Sequence, residues 1–143
     1  MADFAGIETV LGGPEVMGRL RTAEDLRMAV RAGLPWPALR ALQETLQLSG
    51  ESVARILALP ERTMARRKQQ ERLTAEESDR IVRLARITAQ AIGALGSSGK
   101  ASRWLQAGNR ALGGTAPLQL LDTDPGTRQV EELIGRLEYG IYS

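Results

Sequence analysis

Residues 74–95, TAEESDRIVRLARITAQAIGAL, decide the fold. Thr74 and Glu77 have capping-box spacing, in which the threonine hydroxyl accepts the backbone N–H three residues on and the glutamate reaches back to the threonine N–H. From there Ile81, Leu84, Ala85, Thr88, Ile92 and Leu95 recur three or four residues apart, which puts them on one face of a helix over about 75–95. This is the longest amphipathic run in the chain, and it predicts the main strut of an all-α core.

The flanking segments read the same way. Upstream, Thr22 and Asp25 repeat the capping-box spacing ahead of a helix over about 23–32 that Gly33 ends. Residues 7–20 read as short helical turns broken at Gly12-Gly13-Pro14, and Pro35-Trp36-Pro37 as a stiff connector. A helix over about 38–47 places Leu39, Leu42 and Leu46 together. Downstream, Gly96-Ser97-Ser98-Gly99 reads as a turn, followed by a helix over about 100–107 and a Gly-Gly turn within 109–115. A short helical piece then begins at Pro117, and a last helix over about 126–138 carries Val130, Leu133, Ile134 and Leu137. Alternating strand patterns are absent. The expected division is a helical region over 1–73 and a second small helical domain over 74–143.

Composition removes whole classes of function. The chain has no Cys and no His, so disulfides, thiolate chemistry, histidine bases and Cys- or His-based zinc sites are excluded. We expect no catalytic residue, metal or cofactor. No run approaches the roughly 20 apolar residues of a membrane span, and the start, MADFAGIETVLGG, does not read as a signal peptide. The expectation is a soluble, cytoplasmic protein. Aromatic residues make up only 3% of the chain, so Leu, Ile, Val and Ala must fill the core. The net charge of +2 is small, but residues 37–73 hold six Arg and one Lys against four acidic residues. The basic excess therefore sits in one segment.

That segment contains residues 49–72, SGESVARILALPERTMARRKQQER. Ser49 caps a short helix in which Val53, Ile56 and Leu57 share a face, and Pro60 opens a second helix over about 60–70. Ala58 and Leu59 must form the turn between them without the glycine often found there. Two such helices can form a helix-turn-helix, which lays its second helix in the DNA major groove. Arg62, Thr63 and Arg66 would then reach base edges, where Arg pairs with guanine in two-point fashion. Arg67, Lys68 and Arg72 would grip phosphates, and Met64 would pack inward. A solvated basic helix that touches no DNA fits the same pattern, as does a stand-alone transcriptional repressor with a helical dimerisation domain.

The C-terminal half carries several ordered motifs. These are Trp104-Leu105, Asn109-Arg110-Ala111-Leu112-Gly113-Gly114, Pro117-Leu118-Gln119-Leu120-Leu121, the turn from Thr123 to Gly126, and the ending Arg136 to Ser143, RLEYGIYS. Each has a local structural job: positive φ at Gly-Gly, a helix start at Pro117, Trp104 packed on the last helix, and Asn109 as a cap. Tyr139, Ile141 and Tyr142 form an apolar cluster near the end of the chain. Either it folds onto its own core or a partner holds it.

Taken in order and spacing, these motifs resemble the toxin-binding domain of the Xre/MbcA/ParS antitoxin family, and the resemblance reaches upstream through Arg72–Arg80. The N-terminal third is similar only in general shape. The resemblance implies an all-α antitoxin with an N-terminal helix-turn-helix and a small toxin-binding domain. It implies a cognate RES-domain toxin that consumes NAD, with Glu138, Tyr139, Gly140, Ile141, Tyr142 and Ser143 occluding the toxin's NAD pocket and a terminal carboxylate free to meet a basic residue there. It also implies repression of the protein's own operon through operator DNA, by homodimers and higher hetero-oligomers with toxin.

Overall fold

A computed structural model describes residues 3–140. Among these residues there is no β-strand, only an isolated bridge between Pro35 and Arg72. The helices are α1 (Phe4–Val10), α2 (Pro14–Met17), α3 (Ala23–Ala32), α4 (Trp36–Leu46), α5 (Gly50–Ile56), α6 (Glu61–Gln70), α7 (Ala75–Leu95), α8 (Ser98–Gln106) and α9 (Asp124–Gly140), with 3-10 turns at Arg110–Leu112 and Pro117–Leu120. No described helix is long and apolar enough to cross a membrane.

The α7 strut forms as its pattern requires. Thr74 Oγ1 accepts from Glu77 N at 3.2 Å, and Thr74 N donates to Glu77 Oε1 at 2.9 Å, so both halves of the capping box are made. Ile81, Leu84, Ala85, Ile87 and Thr88 are fully shielded, and α1, α3, α4, α8 and α9 all pack against α7. Thr88, the polar member of the buried stripe, returns its hydroxyl to Leu84 O at 2.8 Å, which removes the cost of an unpaired buried hydroxyl. The hydrophobic core is one continuous cluster, with Ile7, Leu39, Leu46 and Val53 from the first half and Leu105, Val130 and Ile134 from the second.

Three boundaries differ from the sequence reading. Pro35-Trp36-Pro37 is not a connector: Pro35 is the N-cap of α4, and Trp36 and Pro37 are its first two residues. The first-turn N–H groups of a helix have no intrahelical acceptor, so prolines there remove nothing the helix needs. Gly96–Gly99 is not a free turn either. Ser97 caps α8 by accepting from Lys100 N at 3.1 Å, and Ser98 and Gly99 already lie in its first turn. Finally, α9 begins at Asp124 and runs to Gly140, longer at both ends than expected. Thr123 supports its start, accepting from Gly126 N through its side chain at 3.1 Å.

One buried polar arrangement joins distant segments. Leu34 N donates to Ser78 Oγ at 2.8 Å, and Leu73 N donates to Leu34 O at 2.9 Å. Gly33 packs so closely on Leu73 that a Cβ there would collide with the Leu73 carbonyl, and its φ of +87° also selects glycine. The chain entering α4 is thereby stitched to the chain leaving α6.

Candidate nucleic-acid and partner interfaces

α5 and α6 form the two-helix unit expected over 49–72. Ser49 Oγ accepts from Ser52 N at 3.1 Å and starts α5. Val53 and Leu57 are buried, whereas Ile56 is only half-buried. The turn is made by Ala58 in the left-handed region, with φ +55°, followed by buried Leu59 and by Pro60 as N-cap of α6. The N-cap therefore falls on Pro60 and Leu59 serves the core. Arg80 of α7 braces the turn, its Nη1 donating to Leu57 O at 3.1 Å.

α6 buries none of its residues. Met64 packs partly against the core, as expected. At about 100° per residue, Arg62 and Arg66 share one face with Thr63 beside them. Arg62 and Arg66 are exposed, and among the described residues no ion pair or side-chain hydrogen bond engages them. Gln69 continues that face seven residues after Arg62 and is exposed. The sequence reading passed over it, although the i, i+4, i+7 spacing of 62, 66 and 69 was available as a signal. Lys68 is exposed on the opposite side of α6, at the rim of an open groove of about 740 Å³ shared with Trp36 and Arg40.

Arg67 and Arg72 are placed differently from Arg62 and Arg66. Arg67 Nε donates to Glu77 Oε1 at 2.7 Å, with side-chain exposures of 15% and 8%. Burial pushes the Glu77 carboxyl up, but the Arg67 guanidinium and the Thr74 N–H outweigh it and hold the carboxyl below its ordinary value. The same bond raises the Arg67 pKa. Arg72 Nη1 donates to Gly33 O at 2.6 Å, close to the last carbonyls of α3. Both side chains thus have partners inside the protein.

The second candidate surface is the end of α9. Val130, Leu133 and Ile134 are buried and Leu137 is half-buried, so the helix is anchored along one stripe. Glu131 takes part in that anchoring, accepting from Gln90 Nε2 at 3.1 Å and pairing with Arg86 at 3.5 Å. Beyond the stripe, Glu138 is exposed and Tyr139 is 78% exposed. The ending therefore starts as a turn of α9 that carries a solvent-facing aromatic ring. Gly140 is its last helical residue, and Ile141, Tyr142 and Ser143 lie outside the described residues. The remaining C-terminal motifs do local work. Asn109 Oδ1 accepts from Ala111 N at 3.0 Å, and Gly113 and Gly114 take φ of +68° and +90°. Trp104 is half-buried, on a helix whose main neighbours are α4, α7 and the 117–120 turn instead of α9.

Both parts of the chain match known protein families. Residues 25–86 match the family model for the antitoxin Xre-like helix-turn-helix domain. Residues 89–140 match that for the antitoxin Xre/MbcA/ParS C-terminal toxin-binding domain. The chain is 32% identical over 117 residues to a protein named Antitoxin Xre from Yersinia enterocolitica, covering 80% of this chain and 79% of the relative. It is 33% identical over 120 residues to one from Photorhabdus laumondii, covering 82% and 81%. It is 42% identical over 89 residues to one from Pseudomonas putida, covering 62% and 56%.

Proposed function

From the premise that this chain belongs to the antitoxin Xre family, an all-α protein with a helix-turn-helix followed by a toxin-binding domain, we propose that it neutralises a cognate RES-domain toxin that consumes NAD and represses its own operon. Its role is that of an antitoxin and not of an enzyme. The finer reading assigns the last turn of α9 and the residues after it, Glu138 to Ser143, to the mouth of the toxin's NAD pocket. The observation that carries this is Tyr139: a large aromatic ring, 78% exposed, on a helix held firmly by the buried Val130 and Ile134, nine and five residues earlier. An aromatic group presented on a rigid support loses little conformational freedom on binding, which suits an interface anchor.

The α6 face fits the DNA half of the proposal. Arg62 and Arg66 lie one turn apart with no partner among the described residues, Thr63 sits beside them, and Gln69 could pair with adenine as Arg pairs with guanine. Lys68 is available to phosphate. In this reading residues 1–73 serve DNA and 74–143 serve the toxin, with α7 supporting both. The protein works in the cytoplasm, and homodimers place two α6 helices on half-sites about one helical turn apart. They assemble further with toxin.

Co-expression with the product of the adjacent gene tests the proposal. The full chain should co-purify with that product and relieve its toxicity. Tyr139→Ala, and separately deletion of Ile141–Ser143, should leave the thermal midpoint unchanged and release toxicity. Full neutralisation by both variants would refute the occlusion mechanism. A full chain that represses its promoter but ignores every neighbouring gene product would favour the stand-alone repressor.

A further inference from the structure

Among the α helices of the bundle, α6 has little of its own to hold it. It contributes no buried residue, its apolar purchase is the half-buried Met64, and its principal helical neighbour is α5. A helix held so lightly could roll or tilt, and an error of about 1 Å in reach defeats two-point pairing with a base edge. A polar fastening supplies the missing restraint. Glu77 is fixed first, because its carboxylate accepts Thr74 N at 2.9 Å and its own N–H donates to Thr74 Oγ1 at 3.2 Å. Arg67 Nε then reaches Oε1 of that carboxylate at 2.7 Å, and Nη1 donates to Gln70 Oε1 at 3.2 Å. Among the described residues this is the ion pair that ties α6 to the rest of the protein.

The helical wheel separates Arg67 from the reading face. It lies about 100° from Arg66 and about 140° from Arg62 around the α6 axis. With those two facing a duplex, Arg67 faces α7. We propose that Arg67 makes no phosphate contact and that the Arg67–Glu77 pair is a clamp that sets the angle at which α6 presents Arg62 and Arg66. The inference rests on the reading of α6 as the DNA-facing helix. Arg67 and Glu77 are positioning residues in this scheme.

Salt dependence separates positioning from contact. Each phosphate contact adds about 0.9 to the slope of log affinity against log salt concentration, and a positioning residue adds nothing. The experiment measures binding of the full chain to a duplex from its own promoter and to a random duplex, over a series of salt concentrations. Lys68→Ala is the phosphate-contact control and should lower the slope on the promoter duplex by about 1. Arg67→Met and Glu77→Gln should each weaken promoter binding by about tenfold, as expected for one misplaced base contact. Both should keep the wild-type slope and bind random duplex within about twofold of wild type. Arg67→Lys, which can still reach a carboxylate but lacks the planar fork, should restore part of the loss.

Glu77→Gln is the decisive variant, because it removes no positive charge and keeps an acceptor for Thr74 N–H. If Arg67 were a phosphate ligand held back by Glu77, this substitution would free it, and duplex affinity and slope would both rise. That result, or a slope lowered by about 1 in Arg67→Met, would overturn the clamp while leaving the DNA reading standing. A wild-type chain that bound neither duplex would refute the DNA reading itself, and the clamp's role with it.

Discussion

Replacing Ala58 by glycine should stabilise the protein. Ala58 holds the turn between α5 and α6 at φ +55°, where a Cβ crowds the following carbonyl. That conformation costs a residue with a side chain about 1–2 kcal/mol. Glycine removes the cost but gives the unfolded chain more freedom, which offsets about 0.4–1 kcal/mol. Ala58 is exposed, so little packing is lost with its methyl group. The net gain should be about 0.5–1 kcal/mol. A chain of 143 residues unfolds with an entropy of about 0.3 kcal/mol/K, so the thermal midpoint should rise by about 2–3 °C. Differential scanning calorimetry on Ala58→Gly and Ala58→Val gives the answer, the valine variant moving in the opposite direction because a β-branched residue tolerates positive φ least. An unchanged or lower midpoint for Ala58→Gly would show that the turn is not strained at this residue, and the account of how α5 and α6 are joined would fail.

Three other outcomes follow from the structure. The Glu77 carboxyl titrates below its ordinary value in the folded chain, so its stabilising share is complete above the unfolded pKa and is lost as pH falls through the folded one; Glu77→Gln should therefore flatten the loss of stability that wild type shows on acidification below about pH 5, as followed by urea denaturation across pH. Gly126→Ala should cost about 2 kcal/mol or more in chemical denaturation, because the new Cβ meets the Leu120 carbonyl at the start of α9. Gly135→Ala, in the same helix with nothing near its Cβ, should instead gain up to about 1 kcal/mol.

The elements most legible in the sequence were those fixed by neighbours in the chain. Both capping boxes formed as the Thr22–Asp25 and Thr74–Glu77 spacings indicate, because each needs only residues three apart. The leucine stripe of α4 and the stripe of α7 were readable for the same reason. The prolines around Trp36 misled because a proline at the N-terminal end of a helix and a proline in a connector look alike until the next turn is known to continue. At the candidate interface, periodicity was enough to find Arg62 and Arg66. It could not reveal that Arg67 would meet a carboxylate ten residues on, or Arg72 a carbonyl 39 residues back. An arginine's reach is set by tertiary structure, and a basic run in sequence does not say which of its charges are already engaged.

The two family regions divide between residues 86 and 89, inside the uninterrupted helix α7. Any exchange of toxin-binding halves between relatives must therefore splice a single rod. One residue gained or lost at the join would advance α8 and α9 by about 1.5 Å and swing them through about 100° relative to the DNA-facing half. About seven residues, close to two turns, would restore the original azimuth but carry α8 about 10 Å along the axis from its seat on α4, so the length of the rod is fixed as well as its phase. Recombinants that keep both activities should respect this phase, so the splice point acts as a reading frame for geometry.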